Sequence, residues 1–251
     1  MLQQRWQAIL ASRSSARARQ YLSPAFLGQY RAVRRFITRY LHGRVLDVGC
    51  GTMPFRADIA QVAECHHGLD RSPQEKGVVI VGDAEDLAMI PDRSYDSLLC
   101  LEVLEHLPRP ARAVSAMYRV LKPGGYLVLS VPHLSRLHDV PHDYYRYTVY
   151  GIRHLLETSG FEFVDWTTRG GLFAFLGHQI SFLILSIGLG VPGVQHLTWL
   201  LNKWLVTHLC IGLDNRLGTD RFFPLGYVVV AHKPAGTCIH ANRRGVAYGK
   251  D

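Results

Sequence analysis

Short apolar runs alternate with helix-like segments through the first half of the chain. Such runs predict strands that are buried on both faces and therefore need no polar side. They cover residues 44–48, 76–81, 95–101 and 126–131, and a further strand is predicted at 64–70, which ends in Gly-Leu-Asp. Helices are predicted at 52–63, after the first strand, and at 110–121, where Lys-Pro-Gly-Gly ends the second of them. The alternation predicts a parallel, doubly wound α/β sheet that binds its ligands at the carboxyl ends of the strands.

Two further strands are predicted at 161–167 and 227–231, after a helix capped by Thr148. The chain between them is unusually apolar, because residues 170–202 contain no Asp, Glu, Lys or Arg. If both flanking strands lie in one sheet, this insertion must run out and return, and each arm spans ~27 Å as a helix. We expect a helical hairpin that either dips into one leaflet of a membrane or packs on the domain or in a homodimer interface.

The first 41 residues are basic and contain no acidic side chain. Their apolar positions predict two helices, at 2–20 and 24–41. The first suits a membrane or polyphosphate surface, or is a solvated arm, and the second covers one edge of the sheet. The predicted organisation is a helical region at 1–41, a sheet domain at 42–235 with its insertion at 170–213, and a tail at 236–251.

The net charge and the cysteine content limit which binding partners and which cellular compartment are expected for the protein. The 251-residue chain has a net charge of +8, which favours an anionic partner, either nucleic acid or an anionic membrane surface. Its five cysteines include no Cys-x-x-Cys pair, so neither a zinc site nor a disulfide framework is predicted. The N-terminal segment also lacks the apolar block of a secretory signal. We therefore expect a cytoplasmic protein that contacts the inner face of the membrane.

A glycine turn, Gly49-Cys50-Gly51, directly follows the first predicted strand. Glycines let a ligand approach main-chain N–H groups without meeting a Cβ atom, so the turn predicts a nucleotide-like ligand. Asp70 ends the second strand roughly 20 residues later, where a carboxylate accepts from both hydroxyls of a ribose. Asp83, in a second acidic loop, either accepts from the amine of a base or caps the next helix.

The ordered motifs at residues 45–52, 82–87, 95–107 and 121–125 resemble those of the class I S-adenosylmethionine-dependent methyltransferases. The resemblance implies a Rossmann-like sheet of seven strands with the last one antiparallel, and S-adenosylmethionine as cofactor. Pro54 departs from a third glycine, which such methyltransferases tolerate and an NAD site would not. The cofactor site implied by the resemblance consists of Asp47, Gly49, Cys50 and Gly51 around the methionine, Asp70 and Arg71 around the ribose, Asp83 and Ala84 at the adenine, and Leu101 and Glu102 near the sulfonium.

The segment at 132–148 concentrates histidine, aspartate, tyrosine and arginine at a strand end where substrates bind. Methyl transfer to a hydroxyl needs an aligned acceptor and a base for its proton. The candidate bases are His133, His138 and His142, with Asp143 available to orient an imidazole. The alternative is an ion pair between Asp143 and Arg146 that fixes the loop. The histidines and aspartates have no defined ligand spacing, so no metal is predicted.

Acceptor binding is assigned to the same loop and to the end of the fourth strand. The predicted acceptor-binding residues are His106, Tyr144, Tyr145 and Arg146. The run His-Asp-Tyr-Tyr-Arg-Tyr-Thr at 142–148 also resembles a segment of bacterial methyltransferases from cell-surface glycan and lipid-linked pathways.

The leading hypothesis is therefore an S-adenosylmethionine-dependent methyltransferase that methylates oxygen on a lipid-linked glycan or another amphipathic small molecule at a membrane surface. A nucleic-acid (RNA) methyltransferase is the alternative that the charge favours. Against it, Cys-Leu-Glu-Val at 100–103 replaces the Asn/Asp-Pro-Pro-Tyr/Phe motif typical of methylases of base amino groups. A third hypothesis is a scaffold that binds the cofactor without catalysis, and the intact glycines, Asp70 and Asp83 argue against it.

Overall fold

One mixed sheet forms the centre of the computed structural model, which describes residues 2–13, 15–72, 80–189 and 192–235. Its strands are β1 (Gly43–Val48), β2 (Ala63–Asp70), β3 (Ile80–Val81), β4 (Tyr95–Leu101), β5 (Leu121–Pro132), β6 (Glu162–Thr168) and β7 (Gly226–His232). They are ordered β3-β2-β1-β4-β5-β7-β6. The first five pair in parallel, and β7 runs antiparallel to both β5 and β6. The predicted doubly wound, Rossmann-like sheet is confirmed.

Helices cover both faces of this sheet. They are α1 (Leu2–Ala11), α2 (Ala16–Arg19), α3 (Pro24–Tyr40), α4 (Arg56–Ile59), α5 (Pro110–Val120), α6 (Val149–Thr158), α7 (Leu172–Gly188), α8 (Pro192–Leu201) and α9 (Leu209–Leu217), with a π-helical segment at Asn202–His208. Leu46 and Leu98 point into the core beneath α5 and α6. Val45 and Leu99 point to the opposite side, beneath α3. Burial on both faces explains why β4, β7 and the second half of β5 are largely apolar, whereas β2 and β6 are only partly buried and contain polar residues.

Helix boundaries follow capping side chains. Ser23 accepts from the backbone N–H of Phe26 (3.4 Å) and Pro24 begins α3, while Thr148 caps α6 as predicted. The predicted helix at 2–20 is instead divided, because Ser15 caps a new short helix by accepting from the N–H of Ala18 (3.1 Å).

The helix predicted at 52–63 is also shorter than expected. It consists of α4 alone, because the chain first passes through Met53, whose φ is +49°, and through Pro54, which has no N–H to donate. Residues 76–79 of the predicted third strand and the tail at 236–251 lie outside the described residues.

The insertion forms a helical hairpin (residues 172–217, here the hairpin), with α7 running out and α8 to α9 returning. Its inner face packs on the N-terminal helices, where Trp6, Ile9 and Leu22 form one buried cluster with Leu185. The side-chain amide of Asn202 adds hydrogen bonds of 3.0 Å to the carbonyls of residues 21 and 22. Of the predicted arrangements, packing on the domain is therefore present. Among the described helices, none has the length and apolar character needed to cross a bilayer.

The outer face of the hairpin is apolar as well. Its exposed residues recur every three or four positions along α7 and again along the returning arm, so they form two rows on the helix surfaces. Together they are called the outer stripe and consist of Leu176, Ile180, Leu183, Ile187, Val194, Leu197, Leu201, Trp204, Leu205 and Leu209.

Asp214 ties the two arms together at their base, here called the neck. Its carboxylate is 2% exposed and accepts from the backbone N–H groups of Gly171, Phe173 and Ala174, each at 2.9 Å. These are unpaired donors at the start of α7, which every helix leaves at its N-terminus. The neck therefore fixes the outgoing and the returning arm to each other where the hairpin leaves the end of β6.

Candidate active site

A cavity of about 240 Å³ lies beside the glycine turn, at the carboxyl ends of β1, β2 and β4; we call it the turn cavity. Its lining is Gly49, Leu69, Asp70, Arg71, Gly82, Ala84, Glu102, Val103, His106 and Leu107. Gly49 has a φ of +69°, and a Cβ atom there would lie 2.4 Å from a methyl carbon of Val103. The glycine is therefore required by the close approach of the loop after β4.

The acidic residues at this cavity also order the loops around it. The Asp70 carboxylate accepts from the backbone N–H of Gly51 (2.9 Å) and of Ser72 (3.1 Å). Arg71 forms an ion pair of 2.9 Å with Asp83, which also accepts from the N–H of Glu85. The structure thus brings Asp70, Arg71 and Asp83 together. Asp83 caps the turn at Glu85 and does not itself line the turn cavity, whereas its neighbour Ala84 does.

Two other predicted cofactor residues are buried. Asp47 is packed in the sheet with a carboxylate oxygen 3.6 Å from Nε2 of His66, and burial raises its pKa. Cys50 packs against Met53, and burial raises the pKa of its thiol to about 12. Neither side chain lines the turn cavity. Leu101 lies with Glu102 in a neighbouring cavity of about 220 Å³ beneath α2 and α3.

A larger cavity of about 450 Å³ lies between the 132–148 segment and the helices; we call it the loop cavity. Glu102 and His106 line both it and the turn cavity, so the two spaces meet at these side chains. Glu102 is held by Arg169 (2.7 Å) and by the Ser130 hydroxyl (2.7 Å). Its φ of +55° is a left-handed conformation that is uncommon for a residue with a side chain.

The 132–148 segment is fastened to the end of β4. Nδ1 of His106 lies 2.6 Å from the carbonyl oxygen of His142, and the N–H of Tyr144 donates to the carbonyl of Glu105 (2.8 Å). The Asp143–Arg146 ion pair predicted as the alternative is present, with Oδ2 and Nη2 separated by 2.7 Å. Arg146 lowers the pKa of Asp143 to about 2. The loop is therefore held in place by its own charges.

Of the three candidate bases, His138 lines the loop cavity. Asp143 also accepts from its backbone N–H (3.0 Å), so the aspartate orients this part of the loop. His142 is exposed and contacts the Tyr144 hydroxyl (3.0 Å), while His133 contacts the carbonyl of Tyr147 (2.9 Å). The geometry therefore favours His138 over the other two.

The predicted acceptor-binding residues divide in the same way. His106 lines the loop cavity, whereas Tyr145 hydrogen-bonds to the carbonyl of Pro108 (3.2 Å) and packs near Tyr144 and Tyr147. Arg146 is engaged by Asp143 and donates to the carbonyl of Arg136 (3.0 Å).

Sequence reasoning missed the residues that the helices contribute to the loop cavity. Trp6, Arg19 and Phe26 come from the N-terminal helices and Phe175 from the hairpin, while Arg136 lies in the 132–148 segment and Arg169 directly follows β6. Nothing in their spacing indicates a shared site, because they are far apart in the chain. Glu105 was also missed. Its side chain is fully buried, and burial raises its pKa to about 9.

Comparison with known proteins agrees with this geometry. A family model described as "Methyltransferase domain" matches residues 46–129, the part of the chain that builds β1 to β5 and the turn cavity. The chain contains a class I S-adenosylmethionine-dependent methyltransferase domain. The predicted family and its cofactor, S-adenosylmethionine, are confirmed at the level of this domain.

Among curated relatives of this methyltransferase domain, "Ubiquinone biosynthesis O-methyltransferase" of Xanthomonas oryzae pv. oryzae is 37% identical over 100 residues. That alignment covers 35% of the chain and 42% of the relative, so the chain spans less than half the length of the curated protein.

Solved structures show the same fold. A SAM-dependent methyltransferase from Archaeoglobus fulgidus has a TM-score of 0.55 at 21% identity, covering 85% of the chain and 96% of its own. The 1,6-didemethyltoxoflavin-N1-methyltransferase of Burkholderia thailandensis, solved with S-adenosylhomocysteine, has a TM-score of 0.53 at 13% identity and covers 80% and 76%.

Proposed function

We propose that the protein transfers a methyl group from S-adenosylmethionine to an oxygen of an amphipathic small molecule. The observation that carries this proposal is the meeting of the turn cavity and the loop cavity at Glu102 and His106. A donor in the first and an acceptor in the second would be adjacent there, which is the alignment that an in-line displacement requires.

The turn cavity suits the donor. Asp70 would accept from the ribose, Leu69 and Ala84 would contact the adenine, and Gly49 leaves room for the methionine. When bound there, S-adenosylmethionine would supply a methyl group attached to a positively charged sulfur, which is the leaving group for attack by an acceptor oxygen. Among the titratable side chains that line the loop cavity, His138 and Glu102 are our candidates to hold or receive the proton of that hydroxyl.

The loop cavity suits an acceptor with an apolar part and an anionic or strongly polar part. Trp6, Phe26 and Phe175 form an apolar wall, while Arg136 and Arg169 supply positive charge. A lipid-linked glycan has this chemistry. The curated relatives are named as O-methyltransferases, which supports oxygen as the acceptor atom.

The outer stripe supports delivery of this acceptor from a membrane. The hairpin carries the stripe on its outer face and Phe175, His178 and Gln179 in the wall of the loop cavity. Basic side chains also dominate the first 41 residues, so an anionic bilayer surface would attract this side of the molecule. We therefore place the protein at the inner face of the membrane as a peripheral enzyme.

The test is to incubate the purified protein with methyl-labelled S-adenosylmethionine and a cell extract, and to separate organic, nucleic-acid and aqueous products. We expect label in the organic phase that resists mild alkaline hydrolysis, as an ether does, and that disappears when excess S-adenosylhomocysteine is added. Label confined to nucleic acid would instead support the RNA methyltransferase. Donor binding without transfer in any fraction would support the scaffold.

A further inference from the structure

Glu105, His106 and His138 bring three metal-ligating side chains to one point beside the loop cavity. We propose that they bind one divalent transition-metal ion, which takes the acceptor hydroxyl as a further ligand. The binding site stands on its own geometry, and the role of the ion in methyl transfer rests on the proposed function. The sequence predicted no metal, because the ligands come from two loops whose separation follows no known ligand spacing.

The ligand atoms are close enough to share an ion. Oε1 of Glu105 lies 3.7 Å from Nε2 of His106 and 3.9 Å from Nε2 of His138. The three donor atoms all lie within 4.8 Å of one another. Tetrahedral ligands at ~2.0–2.1 Å from an ion are ~3.4 Å apart. The two glutamate–histidine pairs would have to approach by a few tenths of an ångström, and the most widely separated pair by up to about 1.4 Å, which rotation of the side chains supplies.

Hydrogen bonds at the outer nitrogens direct the lone pairs of both imidazoles into the cluster. Nδ1 of His106 lies 2.6 Å from the carbonyl oxygen of His142, and Nδ1 of His138 lies 3.2 Å from that of Arg136. Since a carbonyl only accepts, each Nδ1 carries a proton, and the neutral form of each imidazole then presents the lone pair of Nε2 to the cluster. An N–H donated to a carbonyl is the usual way in which proteins orient histidine ligands.

Glu105 supplies the observation that points to a ligand. Its carboxylate is 0% exposed, and neither oxygen accepts a hydrogen bond from any side chain or backbone group in the described ranges. Buried carboxylates are almost always hydrogen-bonded, paired or bound to a metal. A cation between Glu105 and the two Nε2 atoms would satisfy both oxygen and nitrogen lone pairs at once.

The donor set selects the class of ion. Two imidazoles with a carboxylate suit Zn²⁺, Mn²⁺ or Fe²⁺, whereas Mg²⁺ prefers a shell of oxygen. Asp139 can add a second carboxylate, because its Oδ2 lies 3.8 Å from Nε2 of His106. His106, His138 and Asp139 line the loop cavity, so an open coordination position would face the acceptor.

An acceptor oxygen bound there would lose its proton more readily, since a cation lowers the pKa of a coordinated O–H group. With His138 bound to the ion, the proton passes to Glu102 or to solvent, an oxygen lone pair forms the bond to the methyl carbon, and the sulfonium leaves as a neutral thioether. Charge and atoms balance without an oxidant or reductant.

The test measures metal binding by the full chain before any activity. Protein stripped with a chelator is dialysed against Zn²⁺ or Mn²⁺, and retained metal is counted by elemental analysis. We expect one ion per chain, and visible absorption of a four- or five-coordinate site when Co²⁺ is used. Glu105→Gln and His138→Gln should each weaken binding at least ~10-fold, while His142→Gln, in the same loop, should keep the affinity of the unaltered protein.

Several outcomes would overturn the proposal. If the protein retained less than one metal ion per chain, the proposal would fail, and pairing of histidinium with glutamate would be favoured. The proposal would also fail if His138→Gln bound the metal as tightly as the unaltered protein. Asp139→Asn tests the site without the risk that the variant misfolds, because Asp139 is exposed. This change should lower the affinity for the metal severalfold without altering thermal unfolding. Full methyl transfer by metal-free protein would exclude the role of the ion and leave the proposed function intact. Stoichiometric binding without methyl transfer to any extract fraction would support the site and count against the proposed function.

Discussion

The sheet and the hairpin are both rich in apolar residues but use them differently. In the sheet, Leu98 and Leu99 point to opposite faces and both are fully buried. In the hairpin, Leu185 is buried against the N-terminal helices, while Ile187, two residues later, is 66% exposed. An apolar run in a doubly wound sheet therefore indicates burial, whereas the same composition in an inserted helix indicates one buried face and one that is free to meet something else.

The largest expected effect tests this contrast in stability. Leu99→Ala should lower the free energy of unfolding by about 2–5 kcal/mol, because it opens a cavity in the sheet core. The matched change Ile187→Ala should stay within about 0.5 kcal/mol, since little buried area is lost. Urea unfolding of both variants measures the difference, and similar losses would mean that the outer stripe is covered in the folded protein.

The next expected effect is acid sensitivity of the helical layer. Burial lowers the pKa of His178 to about 4, and its Nδ1 is within 2.8 Å of the Ser23 hydroxyl. The unfolded chain binds this proton near pH 6.5 and the folded chain only near pH 4, so stability falls as the pH drops through that window. The limiting loss is about 3 kcal/mol.

Urea unfolding at pH 7 and at pH 4.5 checks the effect. His178→Gln should lose less stability between these values than the unaltered protein. His154→Gln, which changes an exposed histidine on α6, should behave like the unaltered protein. If all three proteins lost the same free energy of unfolding between pH 7 and pH 4.5, the acid sensitivity would be assigned to carboxylates instead.

The neck gives a smaller effect that is confined to the hairpin. Asp214→Ala removes the acceptor of three backbone N–H groups at the start of α7 and should cost about 2 kcal/mol. Hydrogen exchange should accelerate in α7 and α9 more than in the sheet. Glu157→Ala, on the exposed surface of α6, is the control. Uniform acceleration across the sheet would show that the two regions unfold as one unit.

The outer stripe predicts a difference in membrane binding. The double change Ile180→Glu and Leu183→Glu should lower binding to anionic vesicles ~10-fold or more with little change in thermal unfolding. Met89→Glu replaces an exposed apolar residue outside the hairpin and should keep vesicle binding. Undiminished flotation of the double variant would assign the contact to the basic N-terminal region or remove it altogether.

The mildest expected effect separates the ligands of the two regions. Asp70→Ala should weaken S-adenosylmethionine binding ~10-fold through loss of ribose contacts, as measured by calorimetry. Phe175→Ala should leave that affinity unchanged and raise the KM of the acceptor severalfold, because this ring lines only the loop cavity of the two. If both variants changed donor affinity equally, the division between sheet and hairpin would be lost.

The regular half of this molecule was predictable from local pattern. Strand positions, the Thr148 cap and the glycine turn follow from apolar runs, side-chain capping and the Gly-Cys-Gly spacing, and the structure adds the approach of Val103 as the reason for Gly49. The short α4 was not foreseen, although Pro54 already removes a donor from the predicted helix.

The site was less predictable because loops and distant contacts build it. The spacing of three histidines in an irregular loop gives no indication that His138 alone turns toward the cavity. Pairing of the N-terminal helices with the hairpin depends on contacts such as Arg5 with the carbonyl of Ser186 (3.1 Å), which no periodicity encodes. Glu105 has a carboxylate like that of any exposed glutamate, and only tertiary packing reveals its isolation.

The hydrogen bonds of Asp214 at the neck also affect the entropy that the chain loses when β6 and β7 pair. Joining β6 to β7 across an open connection would carry a closure entropy that grows with the logarithm of its length. Because the neck brings residues 171 and 214 together, β6 and β7 are in effect joined by a short connection. The backbone N–H of Arg169 donates to the carbonyl of Gly226 (3.1 Å), which extends the pairing of the two strands. An insertion closed at its own base can change in length while the strands that flank it keep their register.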